Sequence, residues 1–238
     1  MFKSKIGNRP VNGKLDNQDQ TYFDYIEDIE NYYDGPKDLI FNFPVYAGAP
    51  NLARSFAFYE LYKQVMDCAG HIADIGSFKG RTLLQFAKMV EIFEGANYTE
   101  VHGFDWFKGM HQEQYDQNKG EVKYVGDYER LKALISAQGL DGFTSITKID
   151  LTTELGDFFE KYPHIRYKLI YLDCGIPEVL ESCLKYFWPR LVTGGILILD
   201  HYNHQVSPQE SNIVDKYIEG RAVKHVPYIR LPTAHVVK

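Results

Sequence analysis

Apolar positions along the chain switch period several times, and the switches mark alternating helices and strands. Leu52, Phe56 and Tyr59, then Phe58, Leu61 and Val65, recur at helical spacing and predict a helix from Asn51. Ile72-Ala73-Asp74-Ile75-Gly76 is a short apolar run ending at a glycine, read as a buried strand and its turn. Residues 81–93 return to helical spacing, with Leu83, Phe86, Ala87 and Val90 on one face. The unit then repeats. Strands are predicted at Val101–Asp105, Thr144–Asp150, Lys168–Asp173 and Gly194–Asp200, with helices over 128–138 (Leu131, Leu134, Ile135), 154–161, 178–188 and 208–219. Two further β-like runs close the chain at 226–231 and 234–237. Such alternation demands parallel pairing, because a crossover of this length carries a helix. The expectation is one α/β sheet domain over 51–238. Before it, residues 1–20 are polar and aperiodic, read as a flexible arm or an oligomer contact. The aromatic, acidic stretch 22–33 reads as a short helix ended by Gly35-Pro36, so that 1–50 form an arm and a lid-like segment.

Composition narrows the partners rather than the fold. A chain of 238 residues suits one large domain and is tight for two. The net charge of −6 argues against nucleic acid as the main partner, since phosphate neutralisation needs clustered Lys and Arg. No apolar run approaches the ~20 residues that cross a bilayer. Cys68, Cys174 and Cys183 have no metal-binding spacing, and Met1–Gln20 lacks the apolar core of a signal peptide. The expectation is a cytoplasmic protein with reduced thiols, no membrane partner, and homo-oligomerisation left open.

In an open parallel sheet, ligands bind beyond the carboxyl ends of the strands. Acids recur at that edge: Asp74 before its turn glycine, then Asp105, Asp150, Asp173 and Asp200 at strand ends. One acid alone would be a solvated surface group; five on one edge mark a site. The turn Asp74-Ile75-Gly76-Ser77-Phe78-Lys79-Gly80 lets a ligand approach the backbone at Gly76 and opens a helix at Gly80, although any strand-to-helix turn favours glycine. It is neither the Gly-x-Gly-x-x-Gly dinucleotide fingerprint nor a phosphate-binding P-loop. Asp105 can accept both hydroxyls of a ribose, a feature shared by NAD enzymes and methyltransferases. Asp150 is placed for an adenine edge, or for a cap on the following helix. Asp173, Asp200 and His201 form a candidate divalent-metal site whose oxygen ligands favour Mg²⁺, against a reading in which the carboxylates cap turns.

These blocks, in this order, resemble the macrocin O-methyltransferase (TylF-type) family of S-adenosylmethionine-dependent sugar O-methyltransferases. The similarity covers about Asn51 to Lys238. It is carried by Leu52-Ala53-Arg54 with Tyr59 to Lys63, Ile72 to Gly80 with Leu83 to Ala87, Gly103 to Met110, and Leu172-Asp173 through Leu184, Trp188 to Leu191, Gly194-Gly195 and Asp200-His201-Tyr202. The resemblance implies a Rossmann-like class I methyltransferase fold, a mostly parallel seven-stranded sheet with helices on both faces. It further implies that the Asp74–Gly80 turn, with Gly76, Ser77 and Gly80, lines the methionine part of the cofactor. Asp105 takes the ribose, Trp106 and Phe107 lie beside the nucleoside, and Asp173 and Asp200 fall where the family holds Mg²⁺. Two positions depart from the family. His201 stands for a second acid, and Gly175-Ile176-Pro177 stands where an Asp-x-Tyr usually follows the acid of the previous strand.

Methyl transfer to a sugar hydroxyl needs alignment and removal of a proton. Candidate bases are His111, in a polar loop over 108–127 that reads as a lid, and His201 or His204. Three arrangements remain, in order: Mg²⁺ held by the two aspartates and water, a softer ion also held by His201, or no ion and His201 as base. The competing classes are a nucleotide-dependent oxidoreductase and a non-catalytic cofactor-binding relative.

Overall fold

The central strands are almost wholly apolar because they are covered on both faces, as parallel pairing with helical crossovers requires. In the computed structural model, which describes residues 21–95, 98–109, 124–204 and 207–238, these strands are β1 (His71–Ile75), β2 (Val101–Asp105), β3 (Thr144–Lys148), β4 (Tyr167–Leu172) and β5 (Leu191–Leu199). β6 (Val223–His225) and β7 (Ala234–Val237) complete a seven-stranded sheet in the order β3-β2-β1-β4-β5-β7-β6. β1 to β5 pair in parallel, and β7 runs antiparallel to both β5 and β6. The order turns back at β1, between β2 and β4, which opens a crevice beyond the strand ends.

Helices lie on both faces. α4 (Ala49–Lys63), α5 (Arg81–Phe93) and α6 (Tyr128–Ala137) cover one; α7 (Leu155–Lys161), α8 (Pro177–Phe187) and α9 (Glu210–Asp215) cover the other. They follow α1 (21–27), α2 (Pro36–Phe41) and α3 (Phe43–Tyr46). Neither α2 nor α3 buries a residue, and Ile40, Phe41, Phe43 and Val45 are exposed. Gly35-Pro36 both closes the first helical stretch and opens α2, with Pro36 at its first position.

Several boundaries differ from expectation. The run 226–231 is a turn segment, and the strand lies just upstream in β6. α9 spans only Glu210–Asp215 rather than 208–219. On α4 the buried stripe is Ala57, Phe58, Leu61 and Tyr62, continuing to Val65, while Phe56 is exposed; Leu134 is likewise partly exposed on α6. Two apolar stripes overlap on α4, and contact with the sheet selects one. The arm 1–20 lies outside the described residues. No helix among the described residues is long and apolar enough to cross a membrane, and all three cysteines are free.

β4 carries an irregularity at its start. His71 and Ile72 pair with Tyr167 and Leu169, so Lys168 is an extra residue in the ladder, and the register with β5 shifts at the same place. Lys168 is fully buried. Its Nζ donates to both carboxylate oxygens of Glu94 at 2.9 Å and to Thr99 Oγ1 at 3.1 Å, and the Tyr62 hydroxyl donates to the same carboxylate at 2.5 Å. The partners compensate the buried charge.

At the other end of the sheet, the turn after β1 touches the backbone that leaves β4. Gly76 has φ +88°, and a Cβ there would overlap the carbonyl oxygen of Asp173. Both conditions exclude a side chain. Gly76→Ala is expected to lower stability by about 2 kcal/mol or more. Gly142→Ala, where an added Cβ meets nothing within 4 Å, should stay within about 0.5 kcal/mol of wild type. Urea unfolding midpoints of the two variants check this contrast.

Candidate active site

β1 delivers the first half of the site. Asp74 is 1% exposed, and neither carboxylate oxygen has a hydrogen-bond partner. Burial pushes its carboxyl up to about 7. The Ser77 hydroxyl donates to the Asp74 carbonyl at 3.0 Å, and the Gly80 N–H to the Ser77 carbonyl at 2.7 Å, which closes the turn. Gly80, at φ +82°, caps α5, and a Cβ there would overlap Leu131 on α6. Gly76 and Gly80 therefore each have a packing reason as well as their place in the turn.

Asp105, at the end of β2, binds the two neighbouring turns. Its Oδ2 accepts the Phe78 N–H at 2.8 Å, and its Oδ1 accepts the Phe107 N–H at 2.7 Å. Burial still holds its carboxyl above the ordinary range against those bonds. Trp106 is partly exposed, and its Nε1–H donates to the Gly109 carbonyl at 2.5 Å. Phe107 is buried and packs edge-on against Tyr128, so its ring belongs to the core. Asp150 lies two residues beyond β3; its Oδ1 accepts from the Thr152 N–H at 2.9 Å and hydroxyl at 2.6 Å, and the Glu154 carboxylate accepts its N–H. These bonds close a local turn at the open edge, ahead of α7, whose N-cap position is Glu154.

The second half lies beyond β4 and β5. Their register aligns Leu172 with Leu199, which puts Asp173 beside Asp200. Ligand atoms of Asp173, Asp200 and His201 all fall within 4.8 Å of one another. Tyr171, fully buried on β4, stands between the acids, with its hydroxyl oxygen 2.5 Å from Asp200 Oδ1 and 3.0 Å from Asp173 Oδ2. One phenolic proton can serve only one of them. Burial, then the Asp200 charge, pushes the Asp173 carboxyl well above the ordinary range. His201 Nδ1 is 3.3 Å from Asp200 Oδ2 but is buried without a hydrogen-bond partner. Two oxygens and an unpartnered nitrogen converge, a donor set that fits a divalent cation. His204 follows on the same loop, its ring 5.4 Å from that of His201, with its imidazole held below the ordinary range by burial and by His201. His111 and most of the predicted lid lie outside the described residues. The end of that segment at Tyr124 reaches the first turn: the rings of Tyr124 and Phe78 are 5.7 Å apart.

Three participants escaped the sequence reading. Tyr171 looked like one more apolar strand residue, yet its phase matches Asp173, two residues on. Arg54 is a charge on the stripe of α4 that carries Phe58, Leu61 and Val65, and its Nη2 donates to the Tyr171 hydroxyl at 2.9 Å. Glu210 on α9 is buried, accepts the His201 N–H at 3.1 Å, and is pushed up to about 8 by burial. An acid on the apolar face of a short helix was the available signal. A second cluster, His71, Glu100 and His102, lies at the opposite rim. There the Glu100 N–H donates to His71 Nδ1 and the Glu100 carboxylate meets His102 Nε2 at 2.8 Å, so the groups satisfy one another.

No protein-family model and no curated protein matches the chain. Solved structures do. The calicheamicin methyltransferase CalS11 superposes with a TM-score of 0.79 at 20% identity, covering 97% of this chain and 93% of its own. The apo form of CalS11, described as a TDP-rhamnose 3'-O-methyltransferase, gives 0.75 at 20% identity over 97% and 95%. The O-methyltransferase NovP gives 0.62 at 15% identity over 79% and 80%. The chain has the class I methyltransferase fold. Its seven mostly parallel strands, with helices on both faces, agree with the architecture that the resemblance implies.

The Asp74 carboxyl makes stability depend on pH. Its ordinary value is 3.8 and its folded value about 7, so the contribution of the neutral acid is complete below pH 3.8 and is lost as pH rises through 7. Asp74→Asn cannot ionise, so in the absence of ligand it should gain on wild type by up to ~1.4 kcal/mol per pH unit across that window. Chemical unfolding of both proteins at several pH values checks this; parallel stability curves would rule it out.

Proposed function

We propose that the chain is an S-adenosylmethionine-dependent O-methyltransferase acting on a hydroxyl of a sugar or glycoside. The observation that carries the proposal is the division of one sheet edge into two halves. Asp74 and Asp105 frame a turn at the ends of β1 and β2, and two unequally partnered acids lie beside a histidine beyond β4 and β5. Likeness to structures described as a TDP-rhamnose 3'-O-methyltransferase and an O-methyltransferase supports a sugar acceptor. The sequence resemblance narrows this to the TylF type.

In this reading the Asp74 carboxylate faces the ammonium of the methionine moiety, a direct partner for oxygens that accept no hydrogen bond within the protein. Ser77 and the two turn glycines shape the cradle. Asp105 keeps lone pairs for the ribose hydroxyls while its two N–H donors fix its orientation. Trp106 flanks the nucleoside and Asp150 borders the adenine. S-adenosylmethionine supplies an electrophilic methyl group, and a divalent ion held by Asp173, Asp200 and His201 would supply Lewis acidity toward the acceptor hydroxyl. The residues of the second half hold the acceptor oxygen in line and take its proton. Without an ion, His201 is the base, with Asp200 Oδ2 3.3 Å from its Nδ1.

Calorimetry should show binding of S-adenosylmethionine and of its demethylated product, and none of NAD. Tight NAD binding without an S-adenosylmethionine signal would overturn the reading in favour of an oxidoreductase. Asp105→Ala should weaken cofactor binding by ~2–3 kcal/mol, the scale of lost charge-assisted hydrogen bonds. Methyl transfer to nucleotide-linked sugars and glycosides should fall on chelation and return with Mg²⁺ or Mn²⁺. Chelator-insensitive activity that is lost in His201→Ala and kept in Asp173→Asn would assign the histidine as base and remove the ion.

A further inference from the structure

We propose that Tyr171 is a positioning residue that holds the Arg54 guanidinium away from Asp200, and so keeps the two carboxylates available to a divalent cation. The proposal rests on the reading of Asp173, Asp200 and His201 as cation ligands.

Arg54 enters the site from α4 and is nearly enclosed. Its Nη1 donates to the Leu231 carbonyl at 2.8 Å, and its Nη2 to the Tyr171 hydroxyl oxygen at 2.9 Å and to Thr82 Oγ1 at 3.3 Å. The guanidinium carbon sits 4.7 Å from the centre of the Phe58 ring and 5.5 Å from that of Tyr171. Nη1 lies 3.8 Å from Asp200 Oδ1. That separation is attractive but too long for a hydrogen bond. An arginine this close to a carboxylate would normally close into a forked, charge-assisted pair. Here the phenolic oxygen stands between them, accepting from Nη2 and lying 2.5 Å from Asp200 Oδ1.

Because the guanidinium donates to the phenol, the phenol's own proton is turned toward the acids. The strongest local cation is thus coupled to the carboxylates through a neutral group. Replacing Tyr171 by Phe keeps the ring and its edge-on contact with Phe58, 5.3 Å between centres, and removes only the oxygen. Nη2 then loses an acceptor, and an approach of about 1 Å suffices to close the Arg54–Asp200 pair. Once closed, the arginine competes for the lone pairs and charge a divalent ion needs. A strut that merely supports the fold would weaken the site regardless of what stands at position 54. The spacer role predicts dependence on the arginine.

The test is Mn²⁺ titration of the full chain by calorimetry in wild type, Tyr171→Phe, Arg54→Met and the double variant, with S-adenosylmethionine affinity measured on the same samples. Tyr171→Phe should weaken Mn²⁺ binding by roughly tenfold and leave S-adenosylmethionine binding unchanged. The double variant should recover the Mn²⁺ affinity of Arg54→Met, which itself binds at least as tightly as wild type. Three results would each overturn the proposal: a wild-type chain that takes no Mn²⁺, a Tyr171→Phe variant that keeps its affinity, or a double variant as weak as Tyr171→Phe. Should Tyr171→Phe fail to fold, weaker binding by Arg54→Met than by wild type overturns it alone. Loss of S-adenosylmethionine binding in wild type, with the Mn²⁺ pattern intact, would instead remove the methyltransferase reading.

Discussion

The turn that follows β1 and the chain that leaves β4 meet backbone to backbone at Gly76 and Asp173, with no room for a side chain between them. Much of the open edge is referred to that contact. It seals Asp74 beneath the turn, and it sets the height at which Phe78 presents its N–H to Asp105. It also fixes where Asp173 emerges relative to Asp200, since β4 and β5 are already locked in register. The two halves of the site thus share a single mechanical joint. A change on one side of it reaches the other without passing through a ligand.

Fold and site were legible in the sequence to different depths. The strands carrying Asp74, Asp105, Asp173 and Asp200 announced themselves as short apolar runs, because burial on both faces leaves no other composition. Helix α5 was read to the residue, since one stripe dominates it. The first strand of the terminal hairpin was misplaced, though the second was not, because β6 carries Lys224 and His225 at an exposed edge, while the turn after it holds the apolar Val226 and Ile229. Apolarity and strand parted company there. At the site, acids at strand ends could be counted from the sequence. Asp150 could not be separated from a helix cap by sequence; in the structure its side chain accepts from Thr152 in a turn ahead of α7, whose N-cap position is Glu154. Phe107 was assigned by motif position alone, but its ring is buried edge-on against Tyr128. Tyr171 and Arg54 were hidden because each is a polar end on a side chain whose body fits an apolar stripe.

The carboxylates sort by what surrounds them. Glu94 is buried too, but hydrogen bonds from Thr99, Tyr62 and Lys168 outweigh the cost of burial and hold it below the ordinary range. Asp74, Asp105, Asp173 and Glu210 all move the other way, and for each the leading cause is burial without sufficient compensation. Opposite rims of one sheet therefore treat the same functional group in opposite ways. The far rim spends its polar groups on one another, as His71, Glu100 and His102 also do. The open rim leaves desolvation uncompensated, which is the condition under which a charged ligand gains most from binding.

β4 links those rims. Side chains on a strand alternate between faces, so one inserted residue inverts everything downstream of it. The insertion at Lys168 does this: Tyr167 faces α7 and α8, and two residues later Leu169 faces α4 and α5, as does Tyr171. Without the bulge, the phenol would point into the core on the opposite side of the sheet, and Arg54 would face an aliphatic wall. The buried lysine acts as a phase-setter for the strand, clamped to Glu94 so that the skip cannot migrate. The handedness of the site, meaning which helix layer supplies its cation, is decided at the end of the strand farthest from it.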